Sequence, residues 1–203
     1  MASESPETSS EHRLGVDIGT YHEFVEWVGE EPEEAKMEYR ARGVGEDVVG
    51  RTTATIGEWE LGGEEMGQDR QHELHYGVPE EIEEAVGSTD PTDRIEAVET
   101  ALSAVTACIN GTIQFNALRE GMDVHEIETS VSISFDPQVL FGHADADVAT
   151  EMLGEPQIDV EIHGDDLDDA DREKLAEYYR RSPVYDMLTS PHPTEPSVTV
   201  HGD

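Results

Sequence analysis

The sequence predicts an α+β fold in which a long central helix packs on antiparallel sheet. Three observations carry this. An apolar pattern stepping by three or four runs from Arg94 to Arg119. Apolar and polar residues alternate through 127–135 and again through 158–162. The elements fall in the order two strands, long helix, two strands, helix, strand, an order that belongs to α+β architectures.

Each element has its own signal. Residues 20–28 (TYHEFVEWV) set Tyr21, Phe24, Val25 and Val28 on one helical face, with Gly29 as the stop and Pro32 opening a short helix through Glu33–Lys36. Glu38–Val44 reads as a strand. Thr52–Leu61 is a clearer one, β-branched and carrying Trp59, with Gly57 breaking its alternation as a bulge does. Gly62-Gly63 begins a turn region reaching Asp69, and Gln71–Tyr76 returns as the partner strand. Val78–Asp93, with Pro79, Gly87 and Pro91, reads as a loop, and Asp90 or Thr92 as the cap of the long helix.

In the long helix Ile95, Val98, Leu102, Val105 and Ile109 form one stripe. Ala97, Ala101, Ala104, Ala107 and Gly111 keep the neighbouring faces small. A helix that is small or apolar nearly all round is expected to be buried. Gly121 ends it. Ile127, Thr129, Val131, Ile133 and Phe135 then make the best strand signal of the chain, and Ile158, Val160 and Ile162 repeat it. Asp168 or Asp169 caps a helix running to Arg180, and Val198 with Val200 predicts a final strand.

Composition narrows the function classes. The chain has 203 residues, 48 Asp+Glu against 12 Lys+Arg, and a formal net charge of −36. That length fits one domain or two small ones and buries roughly 70% of the unfolded chain's surface without a staple. The charge repels nucleic-acid phosphates and anionic membranes. The closest basic clusters, Arg40/Arg42 and Arg180/Arg181, are diluted by carboxylates. No nucleic-acid or membrane partner is expected.

Only Lys36 and Lys174 are lysines. Such a Lys-poor, acid-rich chain is similar to proteins of salt-accumulating cells, a halophilic archaeon being the expected source. Residues 1–13 read as a disordered acidic tail and residues 14–203 as one domain. Met1–Glu11 has no apolar stretch of a signal peptide, and the uncharged run Thr100–Leu118 is too polar to span a membrane, so a cytoplasmic protein is expected.

One side chain stands out chemically. Cys108 is the chain's one cysteine, so an intramolecular disulfide and a Cys-rich metal site are both excluded. It lies mid-helix, in ETALSAVTACING. A lone cysteine among small residues is either a packed, inert thiol or a nucleophile. The nine histidines form no metal spacing, His143-Ala-Asp145-Ala-Asp147 lacks the Gly and Glu of a calcium loop, and Gly43-Val44-Gly45 has no phosphate-loop context. No metal or cofactor is expected.

The segments EWVGEEPEEAKMEYRARG, GRTTATIGEW, AVETALSAVTACING, REGMDVHEIETSVSISFD and RSPVYDML, in that order, resemble the OsmC/Ohr family of thiol-dependent hydroperoxide reductases and their relatives. The resemblance spans roughly 17–200 and is nearest the branch without a second cysteine. It implies an OsmC-like, intertwined homodimer, with Cys108 attacking an organic hydroperoxide and Arg51 stabilising the thiolate. It also implies a glutamate that holds the arginine. The family position ten residues before the cysteine is Val98, and the neighbouring Glu99 takes the role.

Glu99 and Cys108 are separated by about 13.5 Å of rise and a half-turn on a straight helix. Read alone, Arg51 is a solvated strand-end arginine and Glu99 a carboxylate at a helix N-terminus. The family's second cysteine falls on Ser182, in Ser182-Pro183, so an external thiol reductant has to complete any cycle. The other reading open to the sequence is a non-catalytic OsmC-fold protein that binds a small molecule or lipid, or serves in stress, with Cys108 inert.

Overall fold

The computed structural model describes residues 11–202. Most of the tail expected over 1–13 therefore lies outside the described residues. The described residues divide into two compact units: those up to 103 with 118–121, and 104–117 with those from 122 on.

The first unit is built on sheet. A small hairpin joins β1 (His12–Arg13) to β2 (Val16–Asp17), turning through Leu14 and Gly15, both at positive φ. His12 and Arg13, the last two residues of the expected tail, are the two residues of β1. Helix α1 (Ile18–Glu30) comes next, its first turn capped by the Asp17 carboxylate, which accepts from the Thr20 N–H at 2.8 Å. Residues 32–35 form turns rather than the short helix expected after Pro32.

Then come β3 (Met37–Gly45), β4 (Thr52–Leu61), β5 (Glu64–Met66) and β6 (His72–Gly77). The expected bulge at Gly57 is present. Tyr39 pairs with Trp59 and Ala41 with Ile56, so Gly57 and Glu58 together oppose Arg40. Gly62 and Gly63, at φ 57° and 85°, make the two-residue turn whose twist suits a tight hairpin, and β5 pairs with the end of β4.

The segment expected to be all loop holds α2 (Glu80–Ala85), opened by Pro79 and an acidic first turn. A two-residue strand β7 (Ile95–Glu96) then pairs with β6 in parallel. The sheet order is β3-β4-β6-β7, with β5 on β4, and every pairing but the last is antiparallel.

Helix α3 (Ala97–Arg119) gives Ala104–Ala117 to the second unit. There Val105, Ile109, Ile113 and Ala117, each four residues apart, form a buried stripe. The stripe clusters with Met122, Val124, Leu175 and Tyr178 and packs against Ile127, Val131, Ile158, Val160 and Ile162. Those residues belong to the antiparallel pair β8 (Asp123–Ser132) and β9 (Gln157–Asp165). Inside the layer the Thr129 hydroxyl donates to Asn110 Oδ1 at 2.6 Å.

Three expectations are corrected here. Helix α3 is not buried all round: Ala101, Ala104 and Ala107 are exposed, and Phe115 is 58% exposed. The helix expected to reach Arg180 stops earlier, as α4 (Asp169–Leu175) followed by a 3-10 turn at Tyr178–Arg181. Among the described residues no final strand forms: α5 (Pro183–Thr189) is the last regular element, and Val198 and Val200 are 76% and 87% exposed. A β pattern becomes a strand only where an edge is there to pair with it.

Candidate active site

Arg51 immediately precedes β4 and follows Gly50, whose φ of 82° lets the chain turn from β3 into β4. Its guanidinium is held at several points. Nε donates to Glu83 Oε1 at 2.7 Å, and Nη2 donates to Glu83 Oε2 at 2.5 Å and to the Asp90 carbonyl at 2.7 Å. The Thr92 N–H donates to Glu83 Oε2 at 2.8 Å. Arg51 is 9% exposed and Glu83 only 1%. Two-point pairing of this kind fixes the plane of the guanidinium as well as its position. Among the described residues Arg51 Nη1 makes no hydrogen bond, so its two N–H donors are left over.

The pairing moves both pKa values. The Arg51 hydrogen bonds, against the opposing effect of burial and with help from the Thr92 N–H, bring the Glu83 carboxyl down to about 2. Glu83 in turn raises Arg51 above its ordinary value.

A second arginine stands beside the pair. Arg94 donates from Nη1 and Nη2 to Glu46 Oε1 and Oε2, at 2.8 and 3.0 Å. The Thr53 hydroxyl adds a bond to Glu46 Oε1 at 2.9 Å and contacts His75 Nδ1 at 3.1 Å. The Glu46 carboxyl is lowered, first by Arg94 and then by Thr53. A Cβ on Gly77 would come within 2.9 Å of the Arg94 Cβ, so the glycine makes room for this arginine's stem.

The carboxylate that grips Arg51 is therefore Glu83, while Glu99 serves its own helix: it is exposed, and its Oε2 accepts from the Glu96 N–H at 3.1 Å, in the first turn of α3. Glu83 escapes sequence reasoning because it lies in EEIEEA, where four glutamates read alike. The usable signal is Pro79 followed by an acidic first turn, which marks a helix start.

Cys108 belongs to the second unit, where it lies between the buried stripe of α3 and its exposed side, half-buried. Ser182, at the position of the absent second cysteine, is 1% exposed. Its hydroxyl accepts from the Tyr185 N–H at 3.2 Å and caps α5 ahead of Pro183. Among the described residues no group of three or more His, Cys, Asp or Glu side chains is placed to hold a metal, and no helix is long and apolar enough to cross a membrane.

Comparison with solved structures places the fold, though not the site, in a known class. An OsmC-like protein from Mycoplasma pneumoniae superposes with a TM-score of 0.51 at 14% identity, over 75% of this chain and 88% of that one. The organic hydroperoxide resistance protein OhrB of Bacillus subtilis is similar at a TM-score of 0.42 and 14% identity, over 75% and 90%. An OsmC-like protein of unknown function from Vibrio cholerae is similar at 0.44 and 10%, over 75% and 94%. No curated protein matches. The sequence pattern of the OsmC-like protein family matches residues 90–197, more than half of the chain and including Cys108, and the chain belongs to that family.

Proposed function

We propose that this OsmC-family chain is a thiol-dependent organic hydroperoxide reductase that works with one cysteine in oxidative-stress defence. The observation that carries the reading is the buried Arg51–Glu83 pair, which holds a guanidinium rigid and leaves Nη1 with no partner among the described residues. A cation held in this way suits a thiolate and the polarised oxygen of a peroxide. In the proposal Cys108 is the nucleophile, Arg51 stabilises its thiolate and binds the peroxide, and Glu83 takes the positioning role first expected of Glu99.

The thiolate sulfur attacks the distal oxygen of the hydroperoxide. The S–O bond forms as the O–O bond breaks, and the departing alkoxide takes a proton to leave as the alcohol. Cys108 is left as a sulfenic acid. With Ser182 capping α5, an external thiol condenses with the sulfenic acid and releases water. A second thiol equivalent then frees Cys108 and carries away the disulfide. The working form is a cytoplasmic homodimer, and the reductant is a small thiol, a dithiol or a partner protein.

The test is turnover of cumene hydroperoxide with a dithiol in high salt, together with trapping of the sulfenic acid. Wild type is expected to turn over and to be trapped at Cys108, and Cys108→Ser to do neither. Undiminished turnover by Cys108→Ser overturns the reading, as does a wild-type thiol that alkylates with an apparent pKa above about 8.5 and yields no sulfenic acid.

A further inference from the structure

The second unit contains a cleft of about 540 Å³ between β9 and the α4–α5 segment, with Ile113 of α3 at its base. Its volume lies within the range of small-molecule sites. None of its lining residues is charged, in a chain where 30% of residues are. Ile158, Val160 and Leu175 supply the apolar wall. The Tyr179 and Tyr185 rings, edge to face with centroids 5.1 Å apart, form a rigid aromatic side.

Polar capacity in the cleft is small and unspent. Tyr179 Oη accepts from Arg180 Nε at 3.3 Å, which leaves its own proton to donate. Among the described residues the Tyr185 hydroxyl and the Gln157 side-chain amide make no hydrogen bond. The cleft is separate from the thiol: Ile113 lies five residues beyond Cys108, which is about 140° further round the same helix.

We infer that this cleft is a binding site for a neutral, apolar small molecule, acyl or aromatic, with one hydrogen-bonding end such as an ester or an alcohol. The uncharged wall accepts the body, and the phenols with the Gln157 amide take the polar end. A cation finds no carboxylate in the wall. A free carboxylate or phosphate would enter against the field of a −36 protein. The site stands independently of the peroxidase reading.

The experiment is a fluorescence titration in high salt with the neutral dye N-phenyl-naphthylamine, displaced by methyl decanoate or by decanoate. Wild type is expected to bind the dye saturably, and the ester to displace it better than the acid. Gln157→Trp and Ala176→Phe, both at exposed positions of the wall, fill the cleft and are expected to weaken dye binding about tenfold. Tyr185→Phe is expected to weaken the ester about two- to tenfold, as the loss of one hydrogen bond does. Cys108→Ser is expected to bind as wild type, which keeps this result apart from any failure of the enzyme reading. No saturable binding, equal binding by both filled variants with native circular dichroism, or preference for decanoate overturns the inference. A cleft covered by a second copy of the chain gives the first of these results.

Discussion

Glu83 meets Arg51 with both carboxylate oxygens, at 2.7 and 2.5 Å, and both side chains are buried. This is the one buried ion pair of the first unit among the described residues. Pairs on the unit's surface, such as Arg40 with Glu38 and Lys36 with Glu33, are solvated. Solvated pairs in salt contribute little. A buried pair behaves differently, because removing one partner leaves the other charge without compensation.

Glu83→Gln is therefore expected to lower the thermal midpoint well beyond Glu84→Gln, its exposed neighbour on α2. The pair also has a pH signature. The Glu83 carboxyl sits at about 2 in the folded chain against 4.5 as its ordinary value. Its contribution is full above 4.5 and is lost as pH falls from there towards 2. In acid titrations followed by circular dichroism, wild type should lose stability over that window more steeply than Glu83→Gln. Parallel acid limbs would show that the pair contributes nothing.

The net charge gives a second expectation. With 48 acidic against 12 basic residues, self-repulsion works against the compact state. Salt shortens the screening length from about 10 Å at 0.1 M to about 3 Å at 1 M. The thermal midpoint should climb steadily with KCl between those concentrations. A flat or falling midpoint would remove the reading of the acidic surface as an adaptation to salt.

Helix α3 yields a third, since it has two sides. Ile109 is fully buried in the second unit's core, and truncation to Ala should cost about 2–5 kcal/mol in chemical denaturation. Phe115 is exposed on the same helix, with Ala104 and Ala107 also exposed. In the proposed homodimer that side is the one a partner covers. Phe115→Glu is expected to keep native circular dichroism and to sediment as a monomer where wild type sediments as a dimer. An unchanged mass rejects this side as the dimer contact.

How much of the molecule is legible in the sequence depends on whether a feature is local. Strand β4 can be read at its observed limits, Thr52–Leu61, because alternation, β-branching and a glycine bulge are all written in consecutive residues. The start of α4 comes from Asp168, which caps it through the Asp171 N–H at 2.9 Å. Cys108 on a long helix is legible for the same reason, whereas Arg51 stands out only through the family resemblance and, read alone, is a strand-end arginine. Glu83 is not legible, because nothing in EEIEEA says which glutamate turns inward; Arg51, thirty-two positions earlier, decides that. Val198 and Val200 carry a strand pattern, but pairing depends on an edge elsewhere in the chain.

The glycine bulge in β4 allows a last prediction, with a control. A Cβ on Gly57 would stand 2.9 Å from the Arg70 carbonyl oxygen, a backbone atom that cannot swing away as a flexible side chain can. The Arg70 guanidinium also donates back to the Gly57 carbonyl at 2.9 Å, so the two segments are tied at this point. Gly57→Ala has to push them apart and is expected to cost about 1–3 kcal/mol, as overpacking does. Gly29, near the end of α1, has nothing within 4 Å of where its Cβ would be. There alanine restricts the unfolded chain without strain in the folded one, and Gly29→Ala should stabilise by about 0.4–1 kcal/mol. Urea denaturation of the two variants beside wild type gives both signs. A neutral Gly57→Ala would mean that β4 passes Arg70 less closely than the close approach requires.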